Sequence, residues 1–309
     1  MQNKKTILVI ECISSGRMYV PEIIERGYKV VLVQPKSDDK HLMEQKQAVA
    51  DDFSKRFSPD EIEIMFTDFD AEAVLEAIKV HIPHIVCSVA GSEMGVRLND
   101  EVAKAIGVDC NDPATSYMRC TKAGMVEALK KADVRAIKSQ KVEGEDDIKA
   151  FFKDNNLKKA FMKFSESAAS FESKVCESVD EAIAHYNKIS NMPNYFGNQE
   201  DEILIQEYIE GDEYVVNTIS CQGKHVITDI WKYDRIVQED GSVVYNSVDF
   251  IRDIDDKIQG LIDYSYKVLD AVEMKFGPCH GEYKIDDKGP VLIETNCRPM
   301  GFSTTRSFQ

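Results

Sequence analysis

The stretch 277–301, GPCHGEYKIDDKGPVLIETNCRPMG, constrains the fold of this chain more than any other. It reads as two short strands around a tight turn at Asp286-Asp287-Lys288-Gly289. A type I turn with Gly289 in the left-handed region closes such a hairpin with one bulge. In that register Asp286 faces Pro290, Lys284 faces Leu292, Glu282 faces Glu294 and His280 faces Asn296. Side chains alternate along a strand, so His280, Glu282, Lys284, Leu292, Glu294 and Asn296 share one face. Tyr283, Ile285, Val291 and Ile293 form the apolar face and are expected in the core. Two carboxylates directly across from each other repel. A divalent cation between them removes that repulsion, and oxygen donors on rigid strands suit magnesium. A solvated polar face would satisfy the alternation too, but here acid, amide, imidazole and the following Arg298 converge at one end. The hairpin is a candidate metal and phosphate site.

The N-terminal third alternates strand and helix signals. Strands are expected at 5–11, 28–34, 62–67 and 84–89, with helices ending near Gly27 and spanning 71–81 and 99–107. This alternation predicts a parallel, doubly wound sheet. The first turn, CISSGRM, lacks the spaced glycines of a dinucleotide fingerprint, so an NAD site is not expected there. Asp112-Pro113 marks a boundary, and a helix follows at 121–132. A compact α+β pattern then runs through strand 136–142, helix 146–155, strand 159–164, a small-residue loop 165–173, strand 174–177 and a helix beginning at 178. After a linker at 191–201 the pattern becomes antiparallel, with strands from 203 to 235 and a helix at 255–273. The expected domains are 1–112, 113–201 and 202–309.

The charge balance, 38 Lys and Arg against 54 Asp and Glu, gives −16. That argues against a general nucleic-acid or anionic-membrane binder, which needs clustered cations. A nucleotide needs only a few placed cations and stays admissible. No long apolar run or signal peptide is visible, and the eight cysteines form no CxxC pair. Both features fit a reduced cytoplasmic protein, with Cys297 the one thiol close enough to the hairpin site to test for reactivity.

Two further segments carry chemistry. Lys163 enters the loop SESAAS, where backbone N–H groups and hydroxyls can complete a phosphate cradle; a surface lysine at a strand end reads the same way. The segment 206–213, QEYIEGDE, can offer backbone groups to an adenine edge and an acid to ribose hydroxyls, or be an acidic turn.

The order of these pieces resembles the ATP-grasp superfamily: a lysine on a helix, a lysine before a polar loop, the EYIEGDE linker, then paired acids and Asn-x-Arg. The resemblance runs from about 96 to 301, and HGEYK…GPVLIETNCRPMG is its most specific part. Among members it is nearest the L-amino-acid (dipeptide) ligases and related carboxylate–amine ligases, through GVRLNDEVAKAIGVDCNDPATSYMRCTKAGMVEALKKADV, SESAASFESKVCES and VITDIWKY.

The resemblance implies a mixed α/β and α+β ATP-grasp fold behind an N-terminal parallel-sheet domain, with ATP and one or two magnesium ions, or manganese, as cofactors. Lys122 and Lys163 would contact phosphate; Gln206, Glu207 and Ile209 would line adenine; Glu213 would hold ribose. Glu282, Glu294 and Asn296 would bind metal, Arg298 would steady the acyl phosphate, and Trp231, Tyr233 and His280 would shape the substrate pocket. The implied reaction is amide formation from a carboxylate and an amine, both small molecules such as amino acids, through an acyl phosphate. A homodimer is left open. The phosphate loop carries Ala169 and Glu172 where the family carries glycine, and related ligases extend further beyond the Arg-containing motif. A nucleotide-binding or scaffold protein without turnover is therefore the second expectation.

Overall fold

The fold was analysed in a computed structural model that describes residues 4–167, 171–195, 197–199, 201–237 and 243–301. The N-terminal unit contains β1 (Thr6–Ile10), α1 (Tyr19–Glu25), β2 (Lys29–Pro35), α2 (Lys40–Arg56), β3 (Ile62–Thr67), α3 (Ala71–Ile78), β4 (Ile85–Ala90) and α4 (Val96–Ile106). Its strands form a parallel sheet in the order β3-β2-β1-β4. The near-continuous apolar runs of β1 and β2 are buried on both sides by helices, as a parallel sheet requires. The expected doubly wound arrangement is present. Helix α2 was not anticipated: its polar sequence hides the narrow stripe Val49, Ala50 and Phe53 that it buries. Asp39 caps it by accepting from the backbone N–H groups of His41 and Leu42.

Two short helices, α5 (Ser116–Cys120) and α6 (Lys122–Lys131), lead to a four-stranded sheet. That sheet holds β5 (Ser139–Lys141), β6 (Ala160–Phe164), β7 (Lys174–Cys176) and β8 (Ile203–Glu207) in the order β5-β8-β6-β7, covered by α7 (Glu145–Asp154) and α8 (Val179–Ile189). A third sheet, antiparallel, orders β11 (Val243–Phe250), β10 (Lys224–Val237), β9 (Asp212–Cys221), β12 (Phe276–Asp286) and β13 (Gly289–Asn296). Helix α9 (Asp256–Ala271) and α6 pack on one face of it around Leu261, Val268, Leu129, Tyr283 and Leu292. Strand β11 is a second element that the sequence reading did not separate. Among the described residues, no helix is long and apolar enough to cross a membrane.

The hairpin β12–β13 departs from its expected register in one respect. The turn is tighter than anticipated, with Asp286 paired to Gly289, and the irregularity sits between Glu282 and Tyr283 instead of at the turn. Glu282 still faces Glu294 and His280 still faces Asn296. Beyond the irregularity Tyr283 pairs with Leu292 and Lys284 with Val291, so Ile293 is the extra, bulged residue. A one-residue slip exchanges the faces of a strand. Leu292, expected among the polar residues, is in the core with Tyr283. Val291 and Ile293, expected in that core, are on the other side: Val291 packs with Val126, Ile137 and Ile209, and Ile293 lines a cleft.

Candidate active site

Three rungs of side chains cross one face of the large sheet. The register aligns Asp229, Asn217, His280 and Asn296; then Trp231, Val215, Glu282 and Glu294; then Tyr233, Glu213, Lys284 and Val291. This face looks toward the four-stranded sheet. Residues 208–211 connect β8 to β9 and belong to neither sheet. The cleft between the sheets is lined by all six residues assigned above to the nucleotide: Lys122, Lys163, Gln206, Glu207, Ile209 and Glu213. Glu282 and Glu294 form its inner end, while Ile137, Phe161 and Ile293 supply apolar walls.

The two lysines arrive from different elements. Lys122 opens α6, whose N-cap Thr121 accepts from Gly124 N–H. Its Nζ lies 2.9 Å from Glu294 Oε2 and donates to the Ser167 carbonyl at 3.1 Å. Lys163 sits on β6 and is buried, with Phe161 two residues before it on the same side. Burial, reinforced by the Lys122 ammonium, pulls the Lys163 pKa down to about 8. Burial alone would raise Glu294, but the Lys122 and Lys163 ammoniums outweigh it and hold that carboxyl at about 2. Lys122 stays firmly charged: despite its burial, Glu294, Glu93 and Glu282 raise its pKa.

The three residues expected to line adenine differ in what they offer. Gln206 is buried and its amide donates to Ser139 Oγ at 3.2 Å. The Glu207 carboxylate accepts from Lys138 N–H at 2.8 Å, and the Glu207 N–H donates to the Lys138 carbonyl at 2.9 Å, so this lining residue is tied to the neighbouring segment at both points. The Ile209 carbonyl accepts from Lys284 Nζ at 3.1 Å. Glu172 does not approach the cleft. Its carboxylate meets Lys188 Nζ at 2.5 Å, and Phe171 and Ser173 line the cleft instead. Ala169 lies outside the described residues.

At the acid end, Glu282, Glu294 and Asn296 offer two carboxylates and one amide. Among the described residues, no three His, Cys, Asp or Glu side chains gather as a closed metal cage. Hard oxygen donors in this number fit magnesium, which keeps waters and takes phosphate oxygens to complete its shell. They do not fit zinc, which prefers a tetrahedral set of nitrogen and sulfur ligands. His280 is buried and fixed between Asn217 Oδ1 at 2.9 Å and Glu282 Oε1 at 3.3 Å. Asn217 in turn donates to Asp229.

A second cavity, about 610 Å3, adjoins the cleft and is lined by Tyr233, His280, Glu282, Arg298 and Met300 among others. Trp231 does not reach its wall. It is buried beside Val215, Tyr233 and Met300, the last two of which line the cavity, with its indole N–H donating to Asp229. Cys297 is buried; a hydrogen bond with Cys279, together with burial, pushes its thiol well above the usual range, the opposite of a reactive cysteine.

Sequence reasoning missed one charged member. Glu93, from the loop after β4, lies 3.4 Å from Arg298 Nη2. The Asn296 amide stands between carboxylates, 3.4 Å from Glu294 Oε1 and 2.8 and 3.0 Å from the Glu93 oxygens. Burial raises the Glu93 pKa against the opposing Arg298 charge. Nothing near Glu93 in the chain marks it; its contacts with Asn296 and Arg298, far away in sequence, do so.

Residues 155–306 match the family model of the ATP-grasp domain. Dapdiamide A synthase of Enterobacter agglomerans is 27% identical over 304 residues, covering 97% of this chain and 69% of that protein. The L-amino acid ligase of Bacillus licheniformis superposes with a TM-score of 0.67 at 15% identity, covering 96% of this chain and 67% of the other. The N5-carboxyaminoimidazole synthetase of Staphylococcus aureus, solved with ADP, superposes with a TM-score of 0.69 at 13% identity, covering 96% and 71%.

Proposed function

We propose, from the premise that this chain is an ATP-grasp protein, that it is an ATP- and magnesium-dependent ligase joining two amino acids through an acyl phosphate. One observation carries the reading. Two lysines and two facing carboxylates line one cleft, and Glu282 also lines the adjoining cavity that contains Arg298. A phosphoryl donor in the cleft and a carboxylate in the cavity would thus meet at the acids. Similarity along 97% of the chain to a protein named dapdiamide A synthase supports a synthetic, bond-forming reaction.

In this reading Lys122 and Lys163 bind the phosphates, the backbone at Glu207–Ile209 meets the adenine edge, and Glu213 holds the ribose. The carboxylate oxygen of one amino acid attacks the γ-phosphorus, and the bond to the β–γ bridging oxygen breaks, releasing ADP. Arg298 steadies the acyl phosphate. The amine, having lost one proton to solvent, attacks the acyl carbon. The C–O bond to phosphate then breaks, and phosphate leaves with the electron pair and takes up the second amine proton. Magnesium, held by Glu282, Glu294 and Asn296, would supply charge neutralisation at the transferring phosphoryl group, and manganese would fit the same donors. No protein nucleophile is required.

Coupled ADP release over pooled amino acids tests the reading. ADP and phosphate should appear only when amino acids are present, and Glu294→Gln should reduce release at least a hundredfold with an unchanged thermal melt. Turnover that survives in Glu294→Gln sinks the metal assignment. ATP binding without ADP formation across the panel favours a nucleotide-binding protein instead.

A further inference from the structure

The phosphate loop that leaves β6 is held from three directions. Within its own unit, the Ser165 N–H donates to the Glu202 carbonyl at 2.8 Å, and the Glu166 N–H donates to the Asp201 carboxylate oxygens at 2.9 and 3.1 Å. Asn194 donates to the Glu166 carbonyl. Across the cleft, α6 takes up the same loop. The Lys122 N–H donates to the Ser165 carbonyl at 3.2 Å, the Ala123 N–H to Ser165 Oγ at 3.3 Å, and Lys122 Nζ to the Ser167 carbonyl at 3.1 Å. The two backbone donors open α6 and have no acceptor inside the helix, so Ser165 satisfies them. The third contact comes from the N-terminal unit: Arg97, in the first turn of α4, pairs through Nη2 with Glu166 Oε1.

We infer that Arg97 is a positioning residue, which clasps Glu166 and so holds the phosphate loop down on α6, beside the lysines that take the nucleotide phosphates. This role rests on the nucleotide placement in the ligase reading above. It goes beyond that reading by making the position of the loop depend on the N-terminal unit.

Charge gives the clasp its first reason. The Glu166 carboxylate has an acid for a neighbour: burial, and with it the Glu166 charge, raises the Asp201 pKa. Left unpaired, Glu166 would also hold a negative charge one residue from Ser167, which lines the phosphate cleft. The Arg97 guanidinium offsets both effects while supplying a charge-assisted hydrogen bond.

The second reason is that Arg97 stands on a fixed mount. Gly95 precedes α4, and a Cβ placed there would lie 2.9 Å from Glu11 Cβ, so the segment packs closely on β1's end. Glu11 is itself buried and paired at 2.8 Å with the fully buried Lys46, which also donates to the Pro35 carbonyl at 2.6 Å. The Val96 N–H donates to the Glu93 carbonyl at 3.2 Å, which joins Glu93 and Arg97 in one short turn. That turn grips both sides of the site, Glu93 meeting Arg298 at the acid end and Arg97 meeting Glu166 at the phosphate loop. Both members of the Arg97–Glu166 pair are partly exposed, so the clasp biases the loop without locking it; such a pair shifts an equilibrium by up to about fivefold.

The test uses the full chain and reads two quantities. By calorimetry with ATP and magnesium, Kd should rise about three- to fivefold in Arg97→Ala and at least about tenfold in Arg97→Glu, which sets acid against acid. Adding Glu166→Arg to Arg97→Glu rebuilds the pair in the opposite sense and should recover most of the affinity. A merely structural role for either residue would not give that rescue. In the nucleotide-free protein, hydrogen exchange at the Lys122 and Ala123 amides should quicken in Arg97→Glu and return toward wild type in the swapped chain. ATP affinity within twofold of wild type in Arg97→Glu, or no recovery in the swap, overturns the role of Arg97. A wild-type protein that binds no ATP marks failure of the nucleotide placement itself. Exchange at the two amides then decides: quickening that the swap reverses supports the clasp, and unchanged exchange overturns it.

Discussion

Lys163 carries two opposite pH dependences on one side chain. Burial and the neighbouring Lys122 ammonium bring it from an ordinary 10.5 to about 8. In the nucleotide-free, metal-free protein, the unfolded chain therefore binds more protons than the folded one between about pH 8 and 10.5. The contribution of this residue to stability then rises with pH across that window. Nucleotide binding has the other sign, because phosphate oxygens prefer the ammonium. ATP affinity should fall as pH rises through about 8, and calorimetry at pH 8.5 in buffers of different ionisation enthalpy should detect proton uptake on binding. Lys163→Met should abolish both trends. A wild-type protein that binds ATP at pH 8.5 with no proton uptake contradicts the assignment of Lys163 as a phosphate ligand.

At the scale of the element, the hairpin β12–β13 shows what alternation in a sequence reveals and what it conceals. The facing of Glu282 with Glu294 and of His280 with Asn296 was legible, because the polar residues at that end match in either register. The bulge was not, since DDKG accommodates a wider turn with its own bulge or a tighter turn with the bulge elsewhere. The same limit hid α2, whose buried stripe is sparse, and β11, which pairs with β10 without a strong apolar run. The structure makes the bulge testable. Deleting Ile293 should leave Glu282 opposite Glu294 and Tyr283 opposite Leu292, now without an extra residue between them. The variant should fold cooperatively yet lose an apolar wall of the nucleotide cleft, and the Kd for a fluorescent ATP analogue should rise at least tenfold. A variant that retains full ATP affinity would show that Ile293 contributes nothing to the cleft.

Across the whole molecule, the parts of the site that lie along one strand or one loop were readable, and the parts made by contacts between units were not. Lys122, Lys163 and the acid pair each belong to a local pattern, whereas Glu93 acquires its place only when the N-terminal sheet is set against Arg298. What holds that junction is Arg119, buried between the units. Its guanidinium donates to Asp100 of α4 at 2.9 Å, to the Asp112 carbonyl at 2.8 Å, to Thr115 Oγ1 at 2.8 Å and to the Val272 carbonyl after α9 at 3.3 Å. Arg119→Met should cost about 3–5 kcal/mol, because it strands a buried carboxylate without its partner. Burial already outweighs Arg119 enough to raise the Asp100 pKa. Removing the arginine raises it further, so the folded variant binds an extra proton above the unfolded value. Its stability deficit in urea should therefore shrink as pH is lowered from 7 toward 5, the sign expected of a raised carboxyl. Asp100→Asn in the same chain removes the stranded charge, and should restore part of the loss at pH 7 and little at pH 5. A deficit that is independent of pH would assign the cost to lost packing of the arginine stem, not to the uncompensated charge.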